Sequence, residues 1–204
     1  MSTNLTTGEV RLSYANLFEA RAINTNSEPK FSVTLLIPKS DTNTKSLIDA
    51  AIAEAMQNGV ANLATWKGIA CTSAGIPLHD GDGVRKNGEP YGEECKGHWV
   101  ITASSKQKPE VVDKNVMPIL DQSQIYSGVY AYVSLNFFPY LTSGNKGIGC
   151  GLGPVMKIRD GEPLGSKITA AEAFKGFAPA TMNAPNIPYT PAPAVDPITG
   201  MPIV

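Results

Sequence analysis

Between residues 125 and 140 the chain reads IYSGVYAYVSLNFFPY, and most of its aromatic side chains fall on one set of alternate positions. Tyr126, Tyr130, Tyr132, Phe138 and Tyr140 share that set with Ser134 and Asn136. Val129, Ala131, Val133, Leu135 and Phe137 occupy the other. Strand side chains point to opposite faces with period two, so the aliphatic set predicts a core face and the tyrosine set a face toward water. Exposed rings in a row offer flat surfaces on which planar groups stack. Unpaired nucleobases are such groups, and each contributes about 1–3 kcal/mol when stacked on an aromatic ring, with little regard to sequence. The plainer alternative is that tyrosines favour strands and pack beneath a loop or a helix.

Basic residues lie near this segment in sequence. Lys96, Lys106, Lys108 and Lys114 border the strand before it, and Lys146, Lys157 and Arg159 the strand after it. With those strands as neighbours, the rings would lie in a basic groove suited to a polyanionic backbone. Glu110, Asp113 and Asp160 are interspersed, as on an ordinary solvated face.

Other constellations are weaker. Cys71, His79, Cys95 and His98 fall in one loop-rich stretch, and Cys95 and His98 have a spacing that zinc ligands use. Cys71 and His79 have no such spacing, and free cysteines commonly serve as small buried hydrophobes, so no metal is expected. Asp80 and Asp82 resemble part of a calcium loop, but Arg85 and Lys86 follow and no terminal glutamate closes it. His79 with those aspartates could form an acid–base cluster, yet loop solvation explains all three. With two histidines, no serine elbow and no paired-carboxylate motif, neither an enzyme nor a cofactor is expected.

Composition bounds the rest. The 204 residues are 42% hydrophobic and 17% charged, with a formal net charge of -1. A chain of this length forms one domain with a sizeable core. Its charge gives no global attraction to nucleic acid or to an anionic membrane, so such binding must come from a local patch. No apolar run is long enough to span a membrane, and three scattered cysteines suit a reducing compartment. A cytoplasmic location is expected.

The elements that must position these residues follow from period and punctuation. Residues 8–22 alternate from Val10 through Leu12 and Tyr14 and then shift phase near Asn16 and Leu17, which predicts a long strand with a bulge. A second strand covers 30–38. Leu47, Ile48, Ala51, Ile52, Ala55 and Met56 recur at helical spacing, with Asp41, Thr42 or Thr44 as cap and Asn58-Gly59 as stop. Residues 60–68 could extend it as a short turn or helix. Residues 75–97 read as loop, 98–106 as a strand, and 106–118 as irregular. After the tyrosine strand, a turn at 142–149 leads into a last, glycine-interrupted strand, and 169–174 has the pattern of a short helix. Residues 176–204 hold seven of the sixteen prolines and one charge, Asp196, which predicts an extended or disordered tail. The expected fold is mainly β: a five-stranded Greek-key barrel of the oligonucleotide-binding (OB) type over residues 1–175, with an inserted helix and a Pro-rich C-terminal tail over 176–204.

The succession RLSYANLFEARAI, KFSVTLLIPKSD, GHWVITASSKQKP, QIYSGVYAYVSLNFFPY and GNKGIGCGLGPVMKIRDGEPLG resembles the single-stranded-DNA-binding proteins of tailed bacteriophages and prophages, over about residues 8 to 165. The resemblance implies a protein that coats unpaired DNA during phage replication and recombination, in the cytoplasm of the infected bacterial host. It implies single-stranded DNA as the partner and leaves room for phage replication or recombination proteins and for oligomers. The residues it implicates are Tyr130, Tyr132 and Tyr140 in the aromatic strand, Lys146 in GNKG, and Trp99 and Lys106 in HWVITASSK. Lys30 and Lys39, at the two ends of the second strand, follow, while Tyr126 and Lys108 join the set from the residue pattern. Trp99 shares a strand face with Ile101 and Ala103 and so reads equally as core. Affinity is expected to be modest and strongly salt-sensitive. One departure is the tail, whose single carboxylate side chain sets it apart from the acidic tails of many single-strand binders. Two other classes stay open: a phage structural or assembly protein using the aromatic strand as a subunit interface, and a carbohydrate-binding module.

Overall fold

The computed structural model describes residues 3–165, apart from 23, 24, 26, 63–65, 73, 74, 86, 143 and 144. The expected tail and the expected helix at 169–174 lie outside the described residues. In chain order the elements are β1 (Asn4–Thr6), β2 (Val10–Arg21), β3 (Lys30–Pro38), α1 (Thr42–Ala61), β4 (Leu78–Asp80), β5 (His98–Ser105), β6 (Val111–Val112), β7 (Tyr130–Thr142) and β8 (Asn145–Arg159).

Five strands close into a ring. Its order is β2-β3-β5-β8-β7, with β7 returning to β2. All neighbours are antiparallel except β5 and β8, which run parallel and meet at Ser104 and Gly151. This is the Greek-key barrel expected from the sequence. β1 extends the sheet beyond β7, β4 pairs with β5, and β6 with β8.

Alternation fills the inside of the ring. Leu12, Leu17, Val33, Leu35, Ile101, Ala103, Val133, Leu135, Phe137 and Leu152 are all buried in one cluster. Complete burial of a side chain such as Phe137 stabilises the fold by about 1.5–3 kcal/mol. Helix α1 adds Ile48, Ala51, Ile52 and Ala55 to the same cluster, with Met56 packed against it, as the sequence spacing predicts, whereas Leu47 of the expected face is 43% exposed. Asp41 caps it by accepting from Thr44 N at 2.9 Å. The buried Thr44 hydroxyl in turn accepts from Gly8 N at 2.8 Å, which ties the helix start to the link between β1 and β2.

Four local expectations are corrected. Helix α1 runs through Asn58-Gly59 to Ala61, with Asn62 as its C-cap. Gly59 is there for space: a Cβ would meet the Trp66 ring at 2.6 Å and Pro139 at 2.8 Å. The segment after β5 is not wholly irregular, since Val111–Val112 pairs with β8. The tyrosine strand begins at Tyr130, not at 125, because Gly128 turns the chain with φ +127 and donates to Leu12 O at 2.8 Å. The strand before the aromatic segment is not its neighbour, because β8 lies between β5 and β7.

The phase shift in β2 is a bulge between Ser13 and Asn16. Within it Tyr14 adopts φ +48, so its ring leaves the core set of Val10 and Leu12 and stands 65% exposed. Among the described residues no helix is long and apolar enough to cross a membrane.

Replacing Asp41 by Ala should cost about 1 kcal/mol and lower the melting midpoint by about 2–4 °C. Urea and thermal unfolding would measure this, and an unchanged midpoint would refute the capping role.

Candidate nucleic-acid interface

The outward side of β7 alternates as its sequence predicts, and β8 explains why its rings lie flat. Gly147, Gly149, Gly151 and Gly153 occupy every second position of β8, which puts them on the face shared with Tyr140, Phe138, Asn136 and Ser134. Tyr140 pairs with Gly147 and Phe138 with Gly149. A Cβ on Gly149 would lie 2.6 Å from the Phe138 ring, and one on Gly147 2.8 Å from the Tyr140 hydroxyl. Each ring therefore rests on bare backbone. Tyr132, Phe138 and Tyr140 remain 39%, 44% and 36% exposed.

Register carries this face across the barrel. Asn16 pairs with Ser32, Ser32 with Ser104, Ser104 with Gly151, Gly151 with Asn136, and Asn136 with Asn4. One transverse row thus crosses β2, β3, β5, β8, β7 and β1 using only small or polar residues. At a strand spacing of about 4.8 Å it extends about 24 Å. Above it on β3 and β5, Thr34 and Thr102 join hydroxyls at 3.0 Å. Lys30 lies two residues beyond Ser32 and Lys106 two beyond Ser104, so both border the same path.

Beside Thr34 and Thr102 lies a groove of about 680 Å³. Tyr14 and Ser13 line one side, and His79, Val84, Arg85 and Tyr91 the other. The Tyr91 ring stacks near His79 at 6.5 Å and lies under the Arg85 guanidinium at 5.1 Å. Burial pushes the Tyr91 hydroxyl and the neighbouring Cys95 thiol up from their ordinary values, and holds the Cys150 thiol at about 12. These thiols are not nucleophiles at neutral pH. Among the described residues no three His, Cys, Asp or Glu side chains come together as a metal site.

The other residues singled out in the sequence have structural partners. Tyr126 lies before β7, packs against the core and donates to Gly161 O at 2.9 Å. Tyr130 sits between Arg11 and Arg159, whose guanidinium carbons are 5.8 and 3.5 Å from its centroid. Trp99 packs against the core, with the ammonium groups of Lys39 and Lys45 at 5.0 and 4.7 Å from its ring. Lys146 donates to Ile69 O at 2.9 Å, Lys108 stands over Phe18 at 5.5 Å, and Lys106 pairs with Glu28 at 2.6 Å. Lys39 bridges Asp80 and Asp82, at 2.6 Å from each.

Sequence reasoning missed Tyr14 and the glycine row. The bulge was legible as a phase shift, but not which ring it would turn outward. Glycine at every second position of GIGCGLG was the signal for the row.

The closed five-strand ring and its small-residue outer face define an oligonucleotide-binding barrel. A family model described as Enterobacter phage Enc34, ssDNA-binding protein, matches residues 3–184, and the chain belongs to that family. The family is one of binding proteins, not enzymes. The single-stranded DNA-binding protein of bacteriophage Enc34, solved in complex with ssDNA, is 27% identical, with 80% of this chain and 90% of that chain covered and a TM-score of 0.69. The gp2.5 single-stranded DNA-binding protein of bacteriophage T7 shares the fold, with a TM-score of 0.56 over 81% of this chain and 97% of that one at 15% identity. Putative protein p50 of Acyrthosiphon pisum secondary endosymbiont phage 1 is 29% identical over 176 residues, 84% of this chain and 92% of that protein.

Hydrogen bonds from Lys39 hold the Asp80 and Asp82 carboxyls below the ordinary aspartate value and raise Lys39. The carboxylates' contribution to stability is therefore present above the unfolded value near ~4 and is lost as pH falls through their lower folded values. An NMR titration should place both carboxyl midpoints below those of free aspartate, and Lys39→Met should raise them. Midpoints insensitive to that substitution would refute the pairing.

Proposed function

We propose that this protein binds single-stranded DNA without regard to sequence, along the outer face of the barrel, and coats unpaired DNA during phage replication and recombination in the host cytoplasm. The observation that carries this reading is the transverse row of small residues leading to rings seated on glycines. A row without bulky side chains lets a backbone lie close, and Tyr132, Phe138 and Tyr140 offer open ring faces to its bases. Paired bases hide their faces in the stack, so duplex is excluded. Membership of the phage family and the Enc34 relative's complex with ssDNA support the choice of ligand.

In this reading the candidates divide by their partners. Tyr132, Tyr140 and Phe138 stack, while Lys30, Lys106, Lys108 and Lys146 supply positive charge near the path. Tyr126, Tyr130, Trp99 and Lys39 hold the frame. Like Lys106, five other cations among the described residues pair with carboxylates: Lys39, Lys45, Lys96, Lys157 and Arg159. Lys106 shares its charge with Glu28, so with about three phosphates neutralised log K should fall with log salt at a slope of about -2, gentler than the strong salt sensitivity expected from the sequence.

Quenching of tyrosine and tryptophan fluorescence by oligo(dT), with a matched duplex as control and salt as the variable, tests the reading. Saturable quenching by the single strand alone is expected; no response at low salt would sink it. Phe138→Ala and Tyr132→Ala should each weaken binding by about 5- to 150-fold and leave the fold intact. Gly149→Val removes no ring, yet it should weaken binding too because it lifts Phe138 from its seat. Wild-type affinity in that variant would show that the seat is irrelevant.

A further inference from the structure

The β7–β8 rings support a base on one face only, whereas the groove at the other end of the small-residue path has two walls. We propose that this groove encloses one nucleobase of the bound strand, with Tyr14 on one side of it and Tyr91 on the other. The proposal rests on the reading of the outer face as the DNA path and adds to it a subsite and two binding residues.

Tyr14 is the leading observation. Its φ of +48 is a conformation that side chains with a Cβ adopt rarely. The bulge shifts the inward phase from Val10 and Leu12 to the buried Leu17, and the same shift carries a large ring out of the core to 65% exposure. What the strain achieves is to stand that ring at the lip of a groove of about 680 Å³. Such a volume is within the range of about 300–1,000 Å³ typical of small-molecule sites, ample for one base with its sugar.

The remaining walls suit that occupant. Tyr91 has His79 stacked near it and the Arg85 guanidinium 5.1 Å from its centroid, so its ring is held in place as a wall of the groove. Arg85 makes no ion pair among the described residues, which leaves its guanidinium for a phosphate beside the enclosed base. Glu94, which also lines the groove, folds back over Gly92. On the floor, the Thr34 and Thr102 hydroxyls bond to each other at 3.0 Å, and either can be the donor. Hydroxyls rotate to donate or accept, so they satisfy the edge of any base and select none.

Continuity completes the case. From Thr34 and Thr102 the outer face runs through Ser32, Ser104 and Gly151 to Asn136 and Phe138. From β3 to β7 that is three strand spacings, about 14 Å, within the reach of a short single strand. A base enclosed at one end and bases stacked at the other would hold the strand in tension across the smooth row between them.

The test compares Tyr14→Asn with Tyr14→Phe, using Tyr132→Ala as the control for the face itself. Asparagine tolerates the left-handed backbone and so removes the ring without unfolding the bulge. Tyr14→Asn should lower affinity for oligo(dT) and oligo(dA) alike, by about 5- to 150-fold, with a melting midpoint equal to or above wild type. Tyr14→Phe should bind as wild type does. In parallel, an oligomer carrying 5-iodouracil should photocross-link to Tyr14 or Tyr91. Wild-type affinity in Tyr14→Asn, with Tyr132→Ala weakened, would overturn the groove and leave the face standing. Cross-links confined to β7 and β8 would overturn it as well. A wild-type protein that does not bind oligo(dT) would overturn both.

Discussion

Closure of the ring depends on β8 lying between β5 and β7, parallel to one and antiparallel to the other. The parallel contact is a single register pair, Ser104 with Gly151, and the transverse row passes through that same pair. A closed barrel has one interior, so the inward positions of all five strands must fill it together. Ala103, Cys150, Leu152, Leu135 and Phe137 do so beside the closure. Their outward neighbours are then committed to one continuous surface. The small polar row and the ring seats are the other half of the same alternation that builds the core.

That surface separates two uses of aromatic side chains. Tyr126, Tyr130 and Trp99 spend their faces or hydroxyls on protein groups: the Gly161 carbonyl, two guanidiniums and two ammoniums. Tyr14, Tyr132, Phe138 and Tyr140 keep substantial surface open. Neighbours decide between these uses. Where β8 presents glycine, a ring lies flat with its far face free; where it ends in Arg159, the Tyr130 ring becomes a partner for a guanidinium. The basic residues divide in the same way, with Lys39, Lys45, Lys96, Lys106, Lys157 and Arg159 serving intramolecular ion pairs.

Much of this was legible in the chain. Alternation in residues 30–38 and 98–106, and the 3.6-residue spacing of Ile48, Ala51, Ile52 and Ala55, are local signals that survive because burial enforces them. The helix end was misread at Asn58-Gly59, since glycine there answers to the Trp66 ring and not to a turn. The start of β7 was misread because the Gly128 turn fastens to Leu12, more than a hundred residues away in sequence.

By itself the sequence determined the strand faces, the helix, the bulge and the aromatic strand, because each is written in the spacing of side chains along one segment. Only the tertiary structure decided which strands are neighbours. That choice made Tyr130 and Trp99 partners of cations, seated Phe138 on Gly149, aligned Asn16, Ser32, Ser104, Gly151, Asn136 and Asn4, and brought Tyr14 and Tyr91 to one groove. Strand pairing depends on closing a ring between distant segments, and no local period encodes that closure.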